Sequence, residues 1–249
     1  MQNIACWKPT KIVRRGDSFE PSSDPRYMLV ASRLVSSCQV RSYEQAIRRF
    51  ASGRLLDLGC GFVPYYEMYR DLVADNTCVE WEDTTNQSEF LDHRMNLNEP
   101  LSLESESYDT VLLTDVLEHI YQPAKLIAEV ARLLRPGGHV IIGVPFFYWL
   151  HEKPHDFYRY TEFALRQLCE DAELEVKILE PYGGVPEILI DIVGKCLSRA
   201  KLDTLCRVYT STALLVRGLR LFRAVSEKTA RAFPLGYVLV ASRNLVAHI

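Results

Sequence analysis

Arg54-Leu-Leu-Asp-Leu-Gly-Cys-Gly61 constrains the chain more than any other stretch. Leu55, Leu56 and Leu58 predict a short buried strand. Gly59 and Gly61 then allow a sharp turn in which no side chain blocks the approach of a ligand to the backbone. Asp57 falls near the strand's carboxyl end, where open α/β sheets bind their ligands. The spacing is Gly-x-Gly, and Val63-Pro64 stands where a dinucleotide fingerprint would carry its third glycine. That argues against a pyrophosphate seated on a helix N-terminus, as in a dehydrogenase. A ligand with a ribose and a charged tail but no phosphate fits better.

The rest of the chain alternates between strand and helix patterns. Residues 1–24 hold Pro9, Pro21 and Ser22-Ser23-Asp24 and predict an irregular arm. Helices are expected over 27–37 and 43–50, then the strand at 54–58, a helix over 65–72 and a second strand at 77–80. A third apolar segment ends near Asn96-Leu97. A fourth strand is expected at 108–114 and a helix over 124–134, stopping at Arg135-Pro-Gly-Gly138. A fifth strand follows at 139–144, a helix opens at Thr161 with Glu162 in its first turn, and strands at 175–179 and 237–241 complete the set. Such alternation predicts a doubly wound, mostly parallel sheet with right-handed crossovers.

At 249 residues the chain can bury one large α/β core, and a net charge of −3 gives no case for a nucleic-acid partner. Seven cysteines without a C-x-x-C pair suggest reduced thiols in a cytoplasmic protein. No charged segment followed by an apolar core marks a signal peptide. The longest apolar run, 140–150, contains Pro145 and is too short to span a bilayer.

Four segments in order then carry a resemblance: Leu55 to Gly61, an acid 19 residues later at Glu80, Tyr108-Asp-Thr-Val-Leu-Leu-Thr-Asp-Val-Leu-Glu-His-Ile120, and Leu133-Leu-Arg-Pro-Gly-Gly-His-Val-Ile-Ile142. In order and spacing they resemble the motifs of class I S-adenosylmethionine-dependent methyltransferases, over about half the chain. The segment Val144 to Thr161, with Pro154-His-Asp-Phe-Tyr-Arg-Tyr-Thr161, resembles a bacterial methyltransferase type 11-like subgroup associated with surface-glycan or other secondary biosynthesis. Gly183-Gly184, Pro186-Glu187 and Trp7-Lys-Pro9 are similar to the same subgroup. The resemblance implies a seven-stranded Rossmann-like methyltransferase fold with N-terminal helices and a helical insertion before the last strand. The expected organisation is an arm and helices over 1–52, a cofactor-binding core over 53–182, a helical insertion or lid over 183–234, and the last strand of the sheet over 235–249.

The same resemblance assigns roles to residues. S-adenosyl-L-methionine is the implied cofactor and S-adenosyl-L-homocysteine the product. Glu80 would accept hydrogen bonds from both ribose hydroxyls, though the family usually has Asp there, and Glu82 or Asp83 could substitute. Trp81 would pack on the adenine face, and Asn96, beside Leu97, would meet the adenine amino group. Asp57, Gly59 and Gly61 would hold the methionine portion, with Thr114 and Asp115 lining the same pocket. Each has a plainer reading: Asp57 as a turn cap, the acids as a solvated loop, Trp81 as core, Asn96 as a turn residue, and Thr114 and Asp115 as strand-end caps.

Methyl transfer to a hydroxyl gains from a general base, and His suits it. His155 is favoured, with His119 second and His151 third; a structural hydrogen-bonding role is the alternative for each. Phe146, Tyr148, Asp156, Arg159 and Tyr160 are expected around the acceptor, a small molecule, a sugar or a lipid-linked glycan. His151-Glu-Lys-Pro-His155 also spells a zinc-peptidase motif. Pro154 would break the helix that motif requires, so no metal is expected. In the insertion, residues 187–231 carry nine Lys/Arg against four Asp/Glu, leaving −8 on the rest of the chain. That basic, leucine-rich stretch reads as a lid, a peripheral membrane contact, a homodimer face, or helices packed on the sheet. A second function class is a catalytically silent S-adenosylmethionine-binding regulatory or scaffold protein.

Overall fold

A computed structural model describes residues 1–81 and 88–245. A hairpin, β1 (Ile12–Arg15) and β2 (Ser18–Pro21), precedes helix α1 (Arg33–Phe50). Then come β3 (Arg54–Leu58), α2 (Tyr66–Tyr69), β4 (Asp75–Glu80), β5 (His93–Arg94), β6 (Tyr108–Thr114), α3 (Pro123–Leu133) and β7 (Leu134–Pro145). The chain continues through α4 (Glu162–Asp171), β8 (Leu174–Tyr182), α5 (Val185–Arg199), α6 (Asp203–Val216), α7 (Arg220–Ala230) and β9 (Gly236–Arg243).

The main sheet runs β5-β4-β3-β6-β7-β9-β8. The strands from β5 to β7 pair in parallel, and β9 runs antiparallel between β7 and β8. Strand order therefore reverses between β3 and β6, which opens a crevice at their carboxyl ends.

Side-chain alternation along the strands explains the layers. Leu56, Val111 and Leu113 share a core with Leu126 and Ile127 of α3 and Leu165 of α4. Leu55, Leu112, Ile141 and Val240 share a second core with Val40, Tyr43 and Ile47 of α1. Each fully buried leucine contributes about 2 kcal/mol, so both faces of the central strands are held firmly.

The structure corrects several local expectations. The arm contains a hairpin turning at Gly16, whose φ is +60°. The two N-terminal helices are one helix of 18 residues, preceded by a 3-10 turn at Val30–Ser32. The polar stretch from Ser36 to Ser42 is thus part of that single helix, not a break. The third strand is only His93–Arg94, and Asn96 and Leu97 lie beyond it. Three helices, α5 to α7, occupy the chain between β8 and β9. Among the described residues, no helix is long and apolar enough to cross a membrane.

Candidate active site

The turn after β3 is the first element of the site. The N–H groups of Gly59 and Cys60 both donate to the Val79 carbonyl on β4, at 2.9 and 3.2 Å. Gly59, Gly61 and the β-branched Val63 all take left-handed φ values, +71°, +52° and +50°. This conformation is costly for Val63 and natural for the glycines. The Trp7 indole N–H donates to the Val63 carbonyl at 3.2 Å, tying the N-terminal arm to the turn.

Glu80, the last residue of β4, is bound to this turn. Its Oε2 accepts the Gly61 N–H at 2.8 Å and its Oε1 accepts the Trp81 N–H at 2.8 Å. A carboxylate has about four acceptor positions, so two remain for a diol. At Gly61 the space a Cβ would fill is open, whereas at Gly59 a Cβ would meet Val116 at 2.4 Å. Gly61 therefore leaves room for a ligand, and Gly59 lets β3 and the segment after β6 close up. A ribose beside Glu80 with a tail along the glycine turn fits these residues, as S-adenosylmethionine requires.

Asp57 is buried and accepts a 3.3 Å hydrogen bond from the Tyr69 hydroxyl; burial pushes its carboxyl up to about 7. Asp115, at φ +55°, accepts bonds from Gln39 at 2.9 Å and from the Tyr43 hydroxyl at 3.0 Å, both on α1. Burial lifts it to about 6 although the Tyr43 bond pulls the other way. Thr114 ends β6, buried beside it. Asn96 turns its carbonyl oxygen to the Asn98 N–H at 3.0 Å, and Leu97 is buried core. Glu82 and Asp83 lie outside the described residues.

The loop after β7 is held by its own polar groups. Arg159 binds both oxygens of Asp156, at 2.6 and 2.9 Å, and the Trp149 carbonyl at 3.1 Å. Burial alone would raise Asp156, but the bonds from Arg159 and the His151 N–H bring it to about 2. Tyr160 is buried and donates to the Leu117 carbonyl at 3.0 Å, and Phe146 packs against the core. These four of the five expected acceptor contacts build the loop. The fifth, Tyr148, lines a cleft of about 480 Å³ with Trp149, Ile188, Asp191 and Lys195.

Residues 151–155 are not helical, so His151 and His155 do not share a helix face. The His155 ring packs edge-on against Trp81, centroids 5.1 Å apart, which places Trp81 within reach of this loop. His119 and His151 meet instead, at 4.7 Å. His119 Nδ1 binds the His155 carbonyl at 2.7 Å, and burial pulls His151 below the usual imidazole value.

Sequence reasoning passed over Glu118. It is fully buried between His119 and His151, and burial keeps its carboxyl well above the ordinary range. It also passed over Tyr43 and Lys195. The Lys195 ammonium lies 3.4 Å above the Tyr148 ring and 2.6 Å from Asp191. The only sequence signal for Glu118 was an acid next to His119 just beyond a central strand.

The strand order and the glycine turn are those of the Rossmann-like fold that class I S-adenosylmethionine-dependent methyltransferases share. Residues 56–142 match the family model described as a methyltransferase domain. Among curated relatives, the ubiquinone biosynthesis O-methyltransferase of Parvibaculum lavamentivorans is 27% identical over 145 residues, covering 55% of each chain. That of Xanthomonas oryzae is 31% identical over 110 residues, covering 40% of this chain and 46% of the relative. The chain thus matches about half the length of these relatives. A solved S-adenosylmethionine-dependent methyltransferase from Archaeoglobus fulgidus superposes with a TM-score of 0.53 at 16% identity, covering 87% of this chain and 99% of that one. The [4+2]-cyclase SpnF superposes at 0.54 and 15% identity over 84% of each chain. One fold therefore carries more than one chemistry, and the reaction has to be argued from the site.

Proposed function

We propose that the chain transfers a methyl group from S-adenosylmethionine to a hydroxyl of a small-molecule, sugar or lipid-linked glycan acceptor. The observation that carries this reading is the Glu80 carboxylate, bonded to the glycine turn and with acceptor positions to spare. The cofactor supplies an electrophilic methyl on a sulfonium. The chain's work is to align an acceptor oxygen with it and to exclude water. The oxygen lone pair forms the new C–O bond, the C–S pair stays on sulfur, and the hydroxyl proton must be taken up.

For that proton, His119 and His151 are better placed than His155. They adjoin each other, His119 from the segment after β6 and His151 from the loop after β7, while His155 is packed on Trp81. The acceptor body would occupy the cleft of Tyr148, Trp149 and Ile188, whose apolar walls and Lys195–Asp191 pair suit an amphipathic molecule. Exposed Leu215, Leu219 and Leu221 beside exposed Arg220 and Arg223 suit delivery from an anionic membrane surface. The O-methyltransferase names of the relatives agree with a hydroxyl acceptor.

Calorimetry with S-adenosylhomocysteine tests the reading first. Micromolar binding is expected, and its absence would overturn the proposal. Transfer of labelled methyl to candidate hydroxyl compounds then separates an enzyme from a silent binding protein.

A further inference from the structure

We propose that Glu118, His119 and His151 form a binding site for a divalent first-row transition-metal ion. Glu118 is wholly buried, yet neither of its carboxylate oxygens has a hydrogen-bond partner. Buried carboxylates are normally paired or coordinate a metal. Two imidazole nitrogens face this one: His119 Nε2 lies 3.7 Å from Glu118 Oε1, and His151 Nε2 lies 3.8 Å from the same oxygen. One ligand atom from each of the three residues lies within 4.8 Å of the others. Bonds of about 2.1 Å to one ion bring neighbouring ligand atoms to about 3.0–3.5 Å, so the cluster needs to close by only a few tenths of an ångström on the Glu118 side.

The surroundings prepare the donors. His119 gives its Nδ1–H to the His155 carbonyl at 2.7 Å, which fixes the tautomer that leaves the Nε2 lone pair toward Glu118. His151 Nδ1 stands 3.2 Å from Asp156 Oδ2, at ion-pair distance though not in line for a hydrogen bond. Arg159 in turn fixes Asp156. An outer ring of carbonyl and carboxylate around two imidazoles is how metal-binding histidines are held. Two nitrogens and one oxygen favour zinc, iron, cobalt or nickel over magnesium and calcium, which prefer oxygen alone. The two imidazoles retain 15% and 21% exposure, so an ion has a path in and open positions for an outside oxygen.

The ion's role rests on the proposed hydroxyl methylation; the site itself does not. With the ion bound, its Lewis acidity takes the place of the histidine base: an acceptor hydroxyl on it would lose its proton to solvent more easily before its oxygen takes the methyl.

The test uses the full chain, stripped with EDTA and titrated with Co²⁺, with the visible d–d absorption as readout, then with Zn²⁺ in competition. One ion per chain is expected at micromolar or tighter affinity. Glu118→Gln and His151→Ala should each weaken it at least tenfold, and His93→Ala, on the exposed edge strand, should leave it unchanged. No saturable binding by the wild type, or equal affinity in all three variants, would overturn the site. Should a cluster variant not fold, the wild-type stoichiometry and a spectrum of nitrogen and oxygen ligands decide. S-adenosylhomocysteine binding in the same samples keeps the two readings apart, because either ligand can bind when the other fails.

Discussion

Glu80 Oε2 accepts the Gly61 N–H at 2.8 Å, so the acid proposed to bind the ribose and the glycine turn form one unit across 19 positions of sequence. Its other oxygen holds the Trp81 N–H. Removing the side chain loosens the turn as well as removing the proposed ribose partner. Glu80→Ala is expected to weaken S-adenosylhomocysteine at least tenfold by calorimetry, a loss of about 1.4 kcal/mol or more. Glu80→Gln has one acceptor oxygen for two N–H donors, so it should fall between the wild type and the alanine variant.

The two glycines of the turn should fail differently. A Cβ at Gly61 meets nothing in the protein, so Gly61→Ala adds only the strain of a left-handed alanine, about 1 kcal/mol. It should melt almost normally and bind the cofactor product much more weakly. A Cβ at Gly59 would lie 2.4 Å from Val116, so Gly59→Ala must push β3 away from the segment after β6. A clear drop in melting temperature is expected, and thermal denaturation beside calorimetry separates the two.

What was legible in the sequence was local. The run before Gly59 and the strand at Tyr108–Thr114 are apolar because both sheet faces are covered, and that pattern needs no partner to be read. The helix start at Thr161 was equally local; in the structure its hydroxyl caps the helix by accepting the Ala164 N–H. The hairpin at 12–21 was hidden by flanking prolines, although Gly16-Asp17 sits at its tip. Gln39 and Tyr43 belong to the site only because α1 lies against β7 and reaches Asp115. Glu118 and His151 are 33 positions apart, and only the folded loop after β7 brings them together.

The Tyr43–Asp115 bond makes a pH-dependent prediction. Burial raises Asp115 to about 6 in the folded chain, so the stability it contributes is full below 3.8 and is lost as pH rises through 6. The Tyr43 hydroxyl limits that loss by bonding the charged form. Tyr43→Phe removes this bond, so it should cost about 1–2 kcal/mol at pH 8 and distinctly less at pH 5. Urea unfolding at the two pH values measures the difference; an equal cost at both would contradict the argument.

Asp57 gives a larger effect with its own sign. Burial raises it to about 7, with the Tyr69 hydroxyl only partly offsetting the cost of charge. Its contribution is therefore complete below 3.8 and disappears as pH rises through 7. Asp57→Asn cannot ionise and should gain stability relative to the wild type between pH 5 and pH 8. Three pKa units set an upper bound of about 4 kcal/mol, before any relaxation of the site. Melting curves across that range check it, and a constant offset would show that Asp57 is already charged at pH 5.

Arg159 holds the loop that carries His151. Its guanidinium binds both oxygens of Asp156 and a backbone carbonyl, and Asp156 accepts the His151 N–H at 2.9 Å. An ammonium cannot reproduce that planar fork, so Arg159→Lys is not a conservative change here. Cofactor binding depends on β3 and β4 and should stay within about twofold, since 0.4 kcal/mol is all that such a change represents. The loop should open more often. Hydrogen exchange at the His151 amide is expected to speed up at least tenfold in Arg159→Lys, while the amides of β6 keep their protection. Unchanged exchange at His151 would mean that the aromatic contacts of the loop, Tyr148 on His151 and Trp81 on His155, hold it without the ion pair.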